Sequence, residues 1–242
     1  VGQIAVDAFG VTITQNGDVQ IAPAGIVSDS GAGEITLNVG GGSILSGTGV
    51  LEGSSASLVV DNNVDVLTTV DTLSVAAAGD IAVVETSALA LGDGGIASEA
   101  GDVSLTLTAG GLDSALQTIS GNEVAVELVG AGNIDITTTA TDISATAADG
   151  TITIENNGTF TVADDGITAD DGTPGGDETS GYNDITLTAT GGNILAGSGR
   201  VTGDILTVEA NGSIDLVTMV TDISATNVIG DISVQQDDHV LL

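Results

Sequence analysis

Along most of the chain an apolar residue follows Gly, Asn or Asp and opens a short run in which apolar and polar positions alternate, as at Gly79-Asp80-Ile81 and Gly132-Asn133-Ile134. A period of two is the mark of a strand with one face turned inward. Between residues 80 and 150 the openers are Ile81, Leu89, Ile96, Val103, Leu112, Ile119, Val124, Ile134 and Ile143. Nine openers in that span predict strands of about eight residues each. Strands this short must turn constantly, and Gly, Asn and Asp supply the bent or left-handed backbone of corners. Helices do not fit between corners so closely spaced.

A longer repeat overlies this beat. Three stretches align from end to end without a gap: GEITLNVGGGSILSGTGVLEG from Gly33, GDVSLTLTAGGLDSALQTISG from Gly101 and NDITLTATGGNILAGSGRVTG from Asn183. Each is followed by a second shared block that closes at Gly79, Gly150 or Gly230. The chain therefore reads as one solenoid segment, 1–242, made of long repeats 2–79, 80–150 and 151–230 and the start of a fourth, 231–242. Hairpins give no reason for such a superperiod, whereas a coil of three strands gives three coils of about 24 residues per nine strands. The expected fold is all-β: a right-handed parallel β-helix (β-solenoid) with three short strands per coil and about ten coils, about 48 Å long at the usual strand spacing. A flatter, two-strand coil is the rival. The three-strand reading predicts that Ile35, Val103 and Ile185 share one inner face, and that Ile44, Leu112 and Ile194 share another. Two departures, GDVQIAP at 17–23 and the insertion between Ile167 and Ile185, are expected to bulge from the stack.

Composition narrows the picture. Hydrophobic residues are 41% of 242, mostly Val, Ile, Leu and Ala, while the aromatics are Phe9, Phe160 and Tyr182 alone. That suits a narrow interior of small branched side chains. The 34 acidic residues face a single cation, Arg200, for a formal charge of −33. Internal salt bridges are therefore almost excluded, and the surface repels itself unless salt screens it. Nucleic acid and anionic membrane surfaces are excluded as partners, since both call for clustered Lys and Arg. No apolar run is long enough to insert in a membrane. With no cysteine, stability is expected to come from stacking. The opening at Val1, without a basic or apolar leader, reads as a mature fragment.

The GDI, GNI and GSI openers, the TxT strands and the DISAT and GDISV endings resemble the repeats of filamentous-haemagglutinin-type adhesins and other giant bacterial surface proteins. That resemblance implies a right-handed parallel β-helix, secretion, and a role in adhesion or in building a filament or fibre. The expected function is an extracellular structural or adhesive rod. Its partners would be copies of itself or adjacent repeats end to end, together with host or matrix surface ligands.

The competing function is a secreted carbohydrate-active β-helix enzyme, which needs a carboxylate pair in a groove with cations or aromatic platforms for the sugar. One Arg, scattered aromatics and a lone His239 fit it badly, so no catalytic residue is assigned. The densest polar stretch, VADDGITADDGTPGGDETSGYND, offers Asp164, Asp165, Asp170, Asp171, Asp177 and Glu178 as oxygen ligands for Ca²⁺, a hard cation. Its spacing matches neither an EF-hand nor the glycine-rich calcium repeat, and a solvated acidic loop is the simpler reading. Threonine pairs such as Thr106 with Thr108 and Thr186 with Thr188 could order water on one flat face, but they sit at different phases of the repeat and are expected to face different ways.

Overall fold

The computed structural model describes residues 4–6, 10–28, 31–45, 47–171 and 182–237, with side chains from residue 10 onward. Among these residues 24 strands and no α-helix occur, and the strands pair in parallel ladders that stack as a β-solenoid of about ten turns. Two isolated bridges, Asp149 with Asp171 and Asp170 with Tyr182, run antiparallel.

Two opposed walls carry the inner ladders. On wall A, Leu89, Leu112, Ile134, Ile152, Ile185 and Leu206 lie in register, each over the last. On wall B the corresponding ladder is Val19, Ile44, Val64, Ile81, Val103, Val124, Ile143 and Val162. All of these side chains are buried in one continuous core. Burying each Val, Leu or Ile contributes about 1.5–3 kcal/mol, so the stack is held by many small equal increments. Phe160 fills the same wall B core in line with Ile194 and Ile214.

The coil is tighter and flatter than three equal strands would make it. One turn carries Val64 to Ile81 but Val11 to Ile35, so turns differ in length along the stack. In the tight coils each wall is a single strand, as in Ile134–Thr138 and Ile152–Asn156. A third segment appears only where a wall is broken by a protrusion. The long repeat consequently spans about three and a half turns, and the expected triplets do not stack. Val103 lies on wall B beneath Val124, while Ile35 and Ile185 lie on wall A. Leu112 lies on wall A, while Ile44 and Ile194 lie on wall B. In each triplet the middle copy is turned to the opposite wall, because half a turn is left over per repeat. Of the segment 17–23, only Ala22 and Pro23 leave the wall; Val19 is buried and forms the first rung described on the wall B ladder.

The polar residue before many of the wall B openers has a defined task at the coil corner. Asp18 Oδ1 accepts a hydrogen bond from the Ser43 amide at 3.0 Å, Ser43 Oγ from Asn63 at 3.3 Å, and Asn63 Oδ1 from Asp80 at 3.0 Å. Asp80 Oδ1 accepts from Asp102 at 3.1 Å, and Asp102 Oδ1 from Glu123 at 3.2 Å. Farther up the same wall the device recurs as Thr159, Asn193, Ser213 and Asp231. Each corner side chain thus satisfies an amide of the next coil that the wall ladders leave over.

Candidate interaction surface

Three ridges interrupt the flat walls, and each is two coils thick. They comprise residues 22–25 with 47–49, residues 92–95 with 115–118, and residues 163–166 with 197–200. The first and third stand on wall B and the second on wall A, as the leftover half turn requires. The loops arise from extra residues between pairing points. Four residues separate Leu91 from Ile96 where one separates their partners Leu73 and Val75, and four separate Val162 from Ile167 where one separates Ile143 and Ala145. Within a ridge the two loops touch closely. Gly25, Gly95 and Gly166 have φ of 70°, 66° and 74°. A Cβ on them would come within 2.4, 2.2 and 2.5 Å of the carbonyl oxygens of Val50, Thr118 and Arg200. Glycine is required there by both conformation and space.

A polar corner, buried in the first two cases, recurs at the strands that open the second, third and fourth long repeats. Glu85, at the end of Ile81–Glu85, is fully buried, and its carboxylate accepts five hydrogen bonds. The donors are Thr68 Oγ1 at 2.8 Å, the amides of Val70, Thr86 and Ser87 at 3.2, 2.8 and 2.9 Å, and Ser87 Oγ at 2.8 Å. At the same phase Gln236 accepts from Thr218 Oγ1 at 2.7 Å and donates to the Val220 carbonyl at 2.7 Å. The third member, Asn156, is buried above Thr138, and neither its Oδ1 nor its Nδ2 makes a hydrogen bond. Sequence reasoning missed these corners, although the signal is present: Thr68, Thr138 and Thr218 recur in phase with Glu85, Asn156 and Gln236.

Two grooves lie on the walls. One, of about 550 Å³, is lined by Asp71, Asp113, Asp135, Asn133 and the backbone near Leu89 and Leu112. The other, of about 420 Å³, runs over Ser104, Thr106, Ala125, Glu127, Ser144 and Thr146 to Asp165 on the third ridge. Neither has an Arg, Lys or aromatic ring among its lining residues. Carboxylates face one another around both. Partial burial, then repulsion from Asp102, Asp142, Asp165 and Asp164, raises the pKa of Glu123. Burial and then Asp113 raise that of Asp135. The ion pair described is Arg200 with Asp237, at 3.1 Å and open to solvent.

The acidic stretch is divided by the fold. Asp164 and Asp165 sit on the third ridge, where Asp164 accepts a hydrogen bond from Ser198. Asp170 and Asp171 follow the strand Phe160–Ala169, and the Asp171 amide donates to Asp170 Oδ1 at 2.8 Å. Asp177, Glu178 and His239 lie outside the described residues. Among the described residues no three acidic or histidine side chains are grouped so as to hold a metal ion. The threonine pairs are split between walls: Thr186 is laddered with Thr153 and Thr207 on wall A, and Thr106 with Glu127 on wall B. No protein-family model, curated protein sequence or solved structure matches this chain.

Proposed function

We propose that this chain is a segment or subunit of an extracellular, cell-surface rod that is structural or adhesive, and that its repeats belong with those of filamentous-haemagglutinin-type surface proteins. The observation that carries the reading is the upper surface of the stack. Ile223 and Ile232 occupy inner-ladder positions above the fully buried Leu206 and Ile214, yet are 41% and 46% exposed. An apolar, hydrogen-bonding surface of that shape fits one more coil, supplied by adjacent repeats or by a second copy. Head-to-tail contacts that do not close on themselves make filaments. The grooves favour this reading over a carbohydrate-active enzyme, because they present carboxylates and hydroxyls to a sugar without a cation or ring.

The test is assembly of the purified chain. Sedimentation and electron microscopy at rising concentration should show end-to-end rods with an axial spacing of about 4.8 Å, and Ile223→Asp with Ile232→Asp should abolish them. A chain that stays monomeric at millimolar concentration would remove self-assembly from the reading. Divalent cations belong to the same proposal, because 34 carboxylates share one Arg. Calcium should raise the melting temperature beyond what sodium does at equal ionic strength, bound by the separate pairs Asp164 with Asp165 and Asp170 with Asp171, and by Asp177 and Glu178. An equal effect of both salts would reduce calcium to a screening ion.

A further inference from the structure

The three ridges share a backbone plan, but the second departs from it. In the gapless alignment Gly49 and Gly199 correspond to Gln117, and Thr48 and Ser198 to Leu116. A Cβ at Gly49 or Gly199 would lie 1.8 Å from the carbonyl oxygen of Ala22 or Ala163 in the loop below. Gln117 carries that Cβ, so the 115–118 loop cannot follow the path of its two counterparts. It turns instead through two successive non-glycine residues in the left-handed region, Ala115 at φ 50° and Leu116 at φ 69°. The turn is pinned by the Ala115 amide donating to Asp113 Oδ1 at 2.7 Å and by the Gly94 amide donating to Gln117 Oε1 at 3.3 Å. The result is a leucine 94% exposed at the crest of the ridge.

Nothing in the fold calls for that leucine. Thr48 and Ser198 serve at the same phase, and left-handed backbone disfavours a residue with a Cβ. An apolar side chain held out from a rigid two-coil support, at a cost to stability, is the arrangement of a binding anchor. Its surroundings state what it can bind. Asp93 belongs to the facing loop that Gln117 holds, Asp113 stands at the foot of the same turn, and the chain as a whole is strongly anionic. A second copy would bring 34 more carboxylates against a single Arg.

We propose that the second ridge is a protein-docking site in which Leu116 enters an apolar pocket of the partner and Asp93 and Asp113 meet Lys or Arg side chains around its rim. The site is lateral and stands whether or not coils stack end to end. A short helical peptide of leucine and lysine serves as probe, with a lysine and serine peptide of equal charge beside it. Amide shifts on adding the first should concentrate at 92–95 and 113–118. Leu116→Ser should weaken that peptide at least fivefold and leave the second unchanged. Leu116→Gly, which relieves the left-handed strain, should leave the melting temperature unchanged or higher. The proposal is overturned if the leucine peptide binds Leu116→Ser as well as wild type, if neutral phosphatidylcholine vesicles move the same amides instead, or if Leu116→Gly melts lower and so shows a packing role.

Discussion

Glu85 and Asn156 occupy the same phase of successive repeats, on opposite walls, at the end of five-residue strands with nearly identical burial. Around Glu85 two extra donors, Ser87 Oγ and the Val70 amide, converge with Thr68 and the turn amides of residues 86 and 87. Around Asn156 the side chain is one methylene shorter. The amide of Ala140, in the place of Val70, donates to Thr138 Oγ1 at 3.1 Å instead. A charged group is therefore well accommodated at one corner, while a neutral amide at its counterpart goes unsatisfied. Burial is the same at both; what differs is the supply of donors within reach of the side chain's tip.

The largest way to break this contrast is Glu85→Leu. It strands several buried donors at about 1–3 kcal/mol each, so a total loss above about 3 kcal/mol is expected, visible as an early thermal transition. Asn156→Leu should act in the opposite direction. Removing an unpaired buried amide for an apolar group of similar size should be neutral or stabilise by about 1–2 kcal/mol, and a clear loss in chemical denaturation would mean that Asn156 is paired in solution. Thr68→Val deletes one donor among five at Glu85 and should cost about 1 kcal/mol. Thr138→Val, tested beside it, removes an acceptor from the Ala140 amide rather than a donor to Asn156.

The smallest expected effect extends the contrast to carboxylates that face one another. Glu123 and Asp135 have pKa values raised above the ordinary 4.5 and 3.8 by burial and by neighbouring carboxylates. A raised carboxylate pKa means that the ionised group destabilises the fold. The penalty is complete above the folded-state pKa and disappears as pH falls toward the ordinary value. Glu123→Gln and Asp135→Asn should therefore melt slightly higher than wild type at pH 7, and the difference should vanish near pH 3. Both groups are largely solvated, so the shifts will be small.

Much of this architecture was open to inspection in the chain itself. Alternation within short runs, Gly, Asn and Asp before each opener, and the aligned blocks are local or self-similar signals, and they fix strand character, coiling and the absence of helix. A side chain before an opener, such as Asn63 or Asp80, is legible as a corner residue for the same reason. The number of turns per long repeat was not legible. Nine openers suit three coils of three strands, yet Leu89 and Ile96 belong to one bent strand, as do Leu112 and Ile119. Whether a glycine pair makes a corner or a protruding loop depends on how many residues the neighbouring coil places opposite it. That is a property of two segments one coil apart, and neither one contains it.

The half turn left over in each repeat follows from this, and it decides the surface. From the sequence alone came the acidic charge, the apolar ladders and the repeat. The tertiary structure decided that equivalent residues face opposite ways, that Asp164 and Asp165 stand on a ridge while Asp170 and Asp171 lie beyond its strand, and that Leu116 is thrust into solvent. The physical reason is that inward or outward direction is set locally by the two-residue period of a strand, whereas the wall a strand joins is set by the summed lengths of every loop before it.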